Sequence, residues 1–294
     1  MAIVFLTSSV DAQAGPHLVG LAHVAFRVSD LDRSALFYGN FLGYQQPFSL
    51  NNGTGLPPTG FVKVNDLQYL ELFPGHSQNQ GQLDHFALYT DDLTSMRIYL
   101  QSLGMYIAKD IHKGRIGDPF LTIRDPDGHL VEIVQYASNS LTGLSKGKFM
   151  PINRVSDHIT HVGIVVSSEE SAVKFYRALG FREFLRGGDT DGRSRWIDMQ
   201  VPNGTDYIEL ILTTGTVAEP KPQNHIGFAS SDVRKTVALL QARSTNRLLN
   251  SITVQTGGGL PPRTNIFDPD GARIEIMEPI RTLSLAVENP ALSK

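Results

Sequence analysis

The sequence predicts an α+β protein made of four βαβββ modules in two tandem halves. Three observations predict this fold: the two halves repeat each other, each repeat opens with strand-like alternation and a capped helix, and a turn signal precedes its last strand. A chain of 294 residues is also long enough for two domains of ordinary size.

The repeats are visible at the start of each module. Residues 23–26 (HVAF) match residues 161–164 (HVGI), and a finer copy within each half appears at residues 85–88 (HFAL) and 225–228 (HIGF). Alternating apolar residues of this kind favour a β-strand. We therefore expect each of these four segments to be the first strand of a module.

A helix and three more strands follow in each module. In the first module, Asp30 is a plausible N-cap, and the apolar residues after it keep helical spacing up to the stop at Gly43. The pairs and tetrads Asn65-Asp66, Asp125-Pro-Asp-Gly128, Asn203-Gly204 and Asp268-Pro-Asp-Gly271 predict hairpin turns. Each turn precedes a strand that carries a glutamate. We expect the two DPDG segments to be turns without a chemical role.

The domain limits follow from this pattern. We expect a first domain of two modules at residues 17–137, a linker rich in Ser, Gly, Lys and Asn at 138–156, and a second domain at 157–280. Residues 1–16 are an N-terminal tail or signal remnant, and residues 281–294 are a C-terminal tail. If residues 1–14 are a shortened signal peptide the protein is exported, and otherwise it is cytoplasmic.

Composition excludes several classes of function. The net charge is −3 and no basic run occurs, so we expect no nucleic-acid partner. No apolar run approaches the roughly 20 residues of a membrane span, so we expect no membrane partner. The chain has no cysteine, which excludes thiolate ligands and disulfides. We therefore expect the protein to be a monomer or homodimer and to act on a small-molecule substrate.

The first strand of each module carries a histidine on its less crowded face. Side chains two residues apart share a face of a strand, so His23 lies beside Ala25 and His161 beside Gly163. The opposite face carries bulky residues such as Val24 and Phe26. That face should pack on the helix, which leaves the histidine face open to a ligand.

The glutamates follow the same logic. Each is flanked by aliphatic residues, as Glu71 is by Leu70 and Leu72, so the carboxylate points away from the core. A carboxylate in a sheet is costly unless it is paired or bound to metal. The eight residues in this register are His23, Glu71, His85, Glu132, His161, Glu209, His225 and Glu275. Together they predict divalent-metal binding, with Zn²⁺, Ni²⁺, Mn²⁺ or Fe²⁺ as the cofactor.

A structural explanation competes for each residue taken singly. A lone histidine on a strand is more often a hydrogen-bonded core residue than a ligand, and a lone glutamate in a last strand can face solvent. Eight such residues in one register make metal binding the better explanation. The remaining histidines lie outside the register, and we expect them to be surface or supporting residues: His17, His76, His112, His129 and His158.

At these positions the sequence resembles the vicinal oxygen chelate superfamily, which includes glyoxalase I, extradiol ring-cleaving dioxygenases, methylmalonyl-CoA epimerase and the bleomycin- and fosfomycin-resistance proteins. The resemblance extends from about residue 18 to about residue 280. It implies that paired modules form a curled mixed sheet, with helices outside and a metal-binding cup inside. The modules could pair within each half, or first with fourth and second with third.

Glyoxalase-I-like isomerase or lyase chemistry is the favoured implication of the resemblance. One histidine and one glutamate from each of two modules then bind the metal, and a glutamate released from it (Glu132 or Glu275) moves a carbon-bound proton. By likeness to bacterial glyoxalase I, Arg27 binds an anionic substrate group; a surface ion pair is the alternative. Gly75, where those enzymes carry Asn, argues against glutathione itself, so we expect a small carbonyl or hydroxy-carbonyl substrate.

Two other implications compete with this one. An Fe²⁺ extradiol dioxygenase would use the triad His161, His225 and Glu275, but no histidine or tyrosine follows His225 and Glu209 would occupy a position that O₂ needs. A non-catalytic drug-binding protein of the resistance type would not need all eight metal-binding positions. We expect the loops at residues 51–58 and 213–223 to rim the cups and set specificity.

Overall fold

The structure, a computed structural model, describes residues 15, 17–50, 58–75, 83–107, 110–188, 194–212, 224–244, 252–257 and 260–280. Its first half contains β1 Gly20–Val28, α1 Leu31–Leu36, β2 Gln45–Leu50, β3 Thr59–Lys63, β4 Tyr69–Pro74, β5 Leu83–Tyr89, α2 Leu93–Ser102, β6 His112–Lys113, β7 Pro119–Arg124 and β8 Leu130–Val134. A short helix, α3 Leu141–Leu144, follows. The second half contains β9 Ile159–Val166, α4 Glu169–Ala178, β10 Arg182–Gly188, β11 Ser194–Gln200, β12 Tyr207–Leu212, β13 His225–Ala229, α5 Val233–Arg243, β14 Gln255–Gly257, β15 Leu260–Phe267 and β16 Arg273–Met277.

The strands form two curled mixed sheets of eight strands, one for each half. Their orders are β2-β3-β4-β1-β5-β8-β7-β6 and β10-β11-β12-β9-β13-β16-β15-β14. In each sheet the two first strands, β1 and β5 or β9 and β13, are antiparallel neighbours at the centre, and each is parallel to the last strand of its own module. The modules therefore pair within each half, which decides between the two arrangements that the sequence allows.

The bulky face of each first strand packs against the helices, as predicted. Val24, Phe26, Phe86 and Leu88 are buried in one continuous core with their counterparts Val162, Ile164, Ile226 and Phe228. This leaves the histidine face of each sheet on its concave side.

The predicted N-cap Asp30 is confirmed, and three further helices begin in the same way. The side chains of Asp30, Asp92, Ser168 and Asp232 each accept a hydrogen bond from a backbone N–H of the first helical turn. The first helix differs from the prediction of one regular helix up to Gly43: α1 ends at Leu36, and a π-helical turn, Phe37–Phe41, follows. This turn buries both Tyr38 and Phe41, and the chain then turns at Gly43 with φ +83°.

The two halves dock through their turns and their first strands. The predicted DPDG turns join β7 to β8 and β15 to β16, and Asp125 and Asp268 accept hydrogen bonds from the hydroxyls of Tyr176 and Tyr38 in the opposite half. They are thus turns, as predicted, with a structural role at the interface. No helix in the described part of the chain is long and apolar enough to cross a membrane.

Candidate metal centres

The first cup brings together the four residues that the sequence selects in this half. His23 on β1 and His85 on β5 approach each other with their Nε2 atoms 3.1 Å apart. Ligand atoms of His23, Glu71 and His85 all lie within 4.8 Å of one another. Glu132 on β8 lies beside this group, with carboxylate oxygens 3.5 Å from His23 Nε2 and 3.8 Å from His85 Nε2.

The second cup repeats the arrangement more tightly. The Nε2 atoms of His161 and His225 are again 3.1 Å apart. Here all four selected residues, Glu209 and Glu275 included, offer ligand atoms that lie within 4.8 Å of one another. Both histidines are fully buried, whereas His23 and His85 are each 6% exposed.

The geometry and electrostatics fit a divalent cation. Imidazole nitrogens and carboxylate oxygens are the donors that such ions take in proteins. Burial opposes the charged form of Glu275, but its hydrogen bond with His161 and the two nearby imidazoles lower its pKa to about 2. In the first cup burial raises the pKa of Glu71. Burial also opposes the charged form of Glu132, but its hydrogen bond with His23 and the charges of His23 and His85 together outweigh burial and lower its pKa. Both sites therefore concentrate carboxylates next to imidazoles.

Arg27 lies on β1 but is engaged by a neighbouring carboxylate. Its Nε donates to Asp84 at 2.6 Å, and the other oxygen of Asp84 lies 2.8 Å from His85 Nδ1. Asp84 thus orients the ring of His85, as carboxylates behind metal-binding histidines commonly do. Asp84 is not among the residues predicted from the sequence, although its position directly before His85 is a usable signal. The second half has Asn224 and Val165 in place of Asp84 and Arg27.

The two cups differ most in their walls. The first cup is lined by Phe61, Phe73, Phe120 and Tyr136 around its histidines and glutamates. In the second cup, polar residues occupy the corresponding strand positions: Asp198 for Phe61, Arg263 for Phe120, Asn265 for Thr122 and Arg273 for Leu130.

Asp198 is the most unusual of these wall residues. It is 3% exposed and is paired with Glu209 on the neighbouring strand β12. Burial and the nearby charges of Glu209 and Glu275 raise its pKa to about 9. Asp198 is not among the residues predicted from the sequence. The signal that selected the glutamates, a carboxylate between two apolar strand residues (here Ile197 and Met199), nevertheless applies to it as well.

Two arginines contact the candidate ligands of the second cup. Arg273 Nη2 lies 3.0 Å from His225 Nε2, and Arg263 Nε lies 3.6 Å from a Glu275 oxygen. A cation bound through His225 Nε2 would therefore have to displace the Arg273 guanidinium. The first cup has no arginine at either of these strand positions.

The other histidines behave as supporting residues where they are described. His129 contacts Asp125 in the β7–β8 turn and His158 contacts Asp206, and neither lines a cup. His17 and His112 are exposed. His76 and residues 1–14 and 16 lie outside the described residues. So do the predicted rim loops, except for Pro58.

Three comparisons place the chain among known proteins. The family model described as the Glyoxalase/Bleomycin resistance protein/Dioxygenase superfamily matches residues 20–133 and 158–276. A lactoylglutathione lyase from Schizosaccharomyces pombe is 21% identical over 300 residues, which cover 88% of this chain and 96% of the relative.

The solved structures that resemble this fold include homoprotocatechuate 2,3-dioxygenase from Brevibacterium fuscum. One mutant structure of it has a TM-score of 0.66 and 20% identity, covering 90% of this chain and 72% of that one. Its anaerobic complex with 3,4-dihydroxyphenylacetate has a TM-score of 0.64 and 19% identity, covering 89% and 81%. At these identities the structural likeness shows the fold alone.

Proposed function

The chain belongs to the glyoxalase/bleomycin resistance protein/dioxygenase superfamily, and we propose that it is a divalent-metal-dependent enzyme with glyoxalase-I-like isomerase or lyase chemistry. Its substrate would be a small carbonyl or hydroxy-carbonyl compound. The observation that carries the proposal is the first cup, where His23, Glu71 and His85 form a compact ligand group and the Glu132 carboxylate lies just beside it.

This geometry suits proton transfer next to a carbonyl group. A divalent ion held by His23, Glu71 and His85 would supply Lewis-acid polarisation of the substrate oxygen. Glu132 is the residue we assign as general base: it lies at the edge of the ligand group, so its carboxylate can reach a carbon-bound proton and return it to the neighbouring carbon. Glu275 holds the corresponding position in the second cup.

The walls of the first cup support the same chemistry. Phe61, Phe73 and Phe120 present apolar surface around the ligand group. Such walls exclude water and strengthen electrostatic interactions between the substrate and the charged residues. Arg27 remains a proposed contact for an anionic substrate group, which would compete with Asp84 for its guanidinium.

The dioxygenase alternative is less well supported. It would use His161, His225 and Glu275, but Glu209 belongs to the same ligand group and leaves less room for O₂. The second alternative, a non-catalytic binding protein, does not explain why the candidate ligand atoms converge in both cups.

Metal analysis combined with activity tests the proposal. We expect the purified chain to bind Zn²⁺ or Ni²⁺ and to turn over a hemithioacetal, or a related hydroxy-carbonyl compound, only when metal is supplied. Glu132→Gln should lower kcat by at least about 100-fold and His23→Ala should abolish metal binding in the first cup. Glu170→Gln, on the exposed face of α4, is the matched control and should leave both unchanged.

Specific results would reject the proposal. A chain that takes up none of Zn²⁺, Ni²⁺, Mn²⁺ or Fe²⁺ cannot work in this way. Ring cleavage of a catechol with O₂ consumption by the Fe²⁺-loaded chain, lost in Glu275→Gln but kept in Glu132→Gln, would establish the dioxygenase instead.

A further inference from the structure

The second cup contains a cluster of buried polar atoms that have no hydrogen-bond partner among the residues that the structure describes. They are Asp198 Oδ1, Arg263 Nη1, Asn265 Oδ1 and Arg273 Nε. Buried polar groups are almost always paired, and an unpaired one costs free energy comparable to a lost hydrogen bond. Four such atoms in one cavity indicate a ligand that pairs with them.

All four side chains line the same cavity as Glu209 and Glu275. They come from β11, β15 and β16, whose register places them on the concave face. The first cup has Phe61, Phe120, Thr122 and Leu130 at these positions. The polar cluster is therefore a property of the second cup alone.

The charges of the two cups also differ. Among its lining residues, the second cup has the carboxyl groups of Asp198, Glu209 and Glu275 and two guanidinium groups. The first cup also has three carboxyl groups, those of Asp118, Glu71 and Glu132, but only one guanidinium, that of Arg115. The second cup thus has one positive charge more than the first, so it opposes an anion less than the first cup does.

The kinds of unpaired atom identify the ligand chemistry. The unpaired nitrogens of Arg263 and Arg273 can only donate, and a carboxylate oxygen is the acceptor that a guanidinium N–H binds most strongly. Asn265 Oδ1 can only accept a hydrogen bond, so it calls for a donor such as a hydroxyl. We propose that the second cup binds a small hydroxycarboxylate, with Arg263 and Arg273 holding carboxylate oxygens and Asn265 and Asp198 meeting the hydroxyl.

This proposal goes beyond the metal-dependent reaction assigned to the first cup, because the four side chains that carry it are not the candidate metal ligands. It can be tested on the metal-free chain. Trp196, the single tryptophan of the sequence, lines the second cup and reports binding there by its fluorescence.

The experiment titrates the chain, freed of metal by chelation, with malate as the probe. Succinate lacks the hydroxyl of malate, and 1,2,4-butanetriol keeps the hydroxyl but lacks both carboxylates. We expect a saturable change in Trp196 fluorescence with malate, weaker binding of succinate, and no binding of the triol. Calorimetry should report the same order of affinity.

Variants then locate the binding site. Arg263→Met and Arg273→Met should each weaken malate binding by about tenfold or more, because each removes a charge-assisted hydrogen bond. Arg273→Lys keeps the charge but loses the fork geometry. If Arg273→Met does not fold, Arg273→Lys takes its place and should also weaken malate binding. Arg115→Met, at the first cup, is the matched control and should bind malate as the unaltered chain does.

Three outcomes would overturn the proposal. They are equal fluorescence responses to malate and the triol, malate affinity that survives both arginine substitutions in folded protein, and loss of affinity in Arg115→Met instead. Because neither metal nor turnover enters the measurement, its failure would be distinct from failure of the metalloenzyme proposal.

Discussion

At the residue scale, two glycines allow the histidines of the second cup to be fully buried. A Cβ atom on Gly163 would lie 2.0 Å from His225 Cε1, and one on Gly227 would lie 1.9 Å from His161 Cε1. Each imidazole thus packs directly against the opposite first strand. The first half has Ala25 and Ala87 at these positions, and its histidines are slightly more exposed.

We therefore predict that Gly163→Ala destabilises the protein. The His225 ring must shift to make room, and overpacking of this kind costs about 1–3 kcal/mol. Urea unfolding measures the loss. Gly39→Ala, where a Cβ would meet its nearest neighbour, the Tyr44 carbonyl oxygen, at an ordinary 3.7 Å, is the control. An unchanged midpoint in Gly163→Ala would show that the ring is not held as described.

The buried Asp198 gives a prediction on pH. Its pKa is about 9 in the folded chain, against an ordinary value of 3.8 for an aspartic acid side chain. Between these values the unfolded chain has lost the proton and the folded chain keeps it, so stability falls as pH rises. Below 3.8 both states are protonated and the penalty is absent.

Asp198→Asn should remove this penalty. We expect the metal-free variant to gain stability over the metal-free parent as pH rises, with a small difference near about pH 5 and a gain of several kcal/mol near about pH 8. Urea unfolding at both pH values checks it. A difference that does not change with pH would contradict the assignment of a raised pKa to this carboxyl group.

At the element scale, the DPDG turns act as clamps between the halves. The Asp125 carboxylate, in the β7–β8 turn, accepts from Tyr176 on α4 at 3.2 Å, and Asp268, in the β15–β16 turn, accepts from Tyr38 at 3.2 Å. Each turn also receives a backbone N–H from the loop after the other half's first strand, Ser167 to Asp127 and Ser29 to Asp270. The interface is thus nearly symmetric.

Removing either tyrosine hydroxyl should weaken this docking. Tyr38→Phe and Tyr176→Phe should each lower the free energy of unfolding by about 0.5–1.5 kcal/mol, and their effects should add because the two sites are separate. Tyr106→Phe, at a side chain that is 93% exposed, should have no effect. If all three variants unfold alike, the clamps do not stabilise the fold.

At the scale of the whole molecule, Asp206 links the two sheets. Its carboxylate accepts from Leu21 N at 2.8 Å, from Gln68 Nε2 at 3.2 Å and from His158 Nε2 at 2.8 Å. Gln68 in turn exchanges two hydrogen bonds with the backbone of Ile159. These buried contacts join the halves beside the β1–β9 contact.

We predict that the two halves unfold as one unit. Trp196 fluorescence reports only the second half, and far-UV circular dichroism reports both, so the two urea curves should coincide. Asp206→Asn should leave the donors of Leu21, Gln68 and His158 poorly paired and so weaken the contact between the halves. The fluorescence and circular dichroism curves of this variant should then no longer coincide. Non-coincident curves in the unaltered chain would show instead that the interface contributes little to the cooperativity.

Much of the fold could be predicted from the sequence because its signals are local. The period of two in each first strand selects which residues face the helices, and the caps and turns fix where elements begin and end. His23 and Glu71 each lie on a strand face opposite aliphatic residues. The direction of their side chains can therefore be predicted from the sequence.

Contacts between residues distant in sequence could not be predicted in this way. The pairing of β1 with β5, the ion pair of Arg27 with Asp84, and the pairing of Asp198 with Glu209 are set by sheet order and register, which the period of a strand does not encode. Local alternation along each strand is enough to assign the side chains that face the concave side of each sheet. Packing of the strands determined which of them meet, and so made one cup apolar and the other polar.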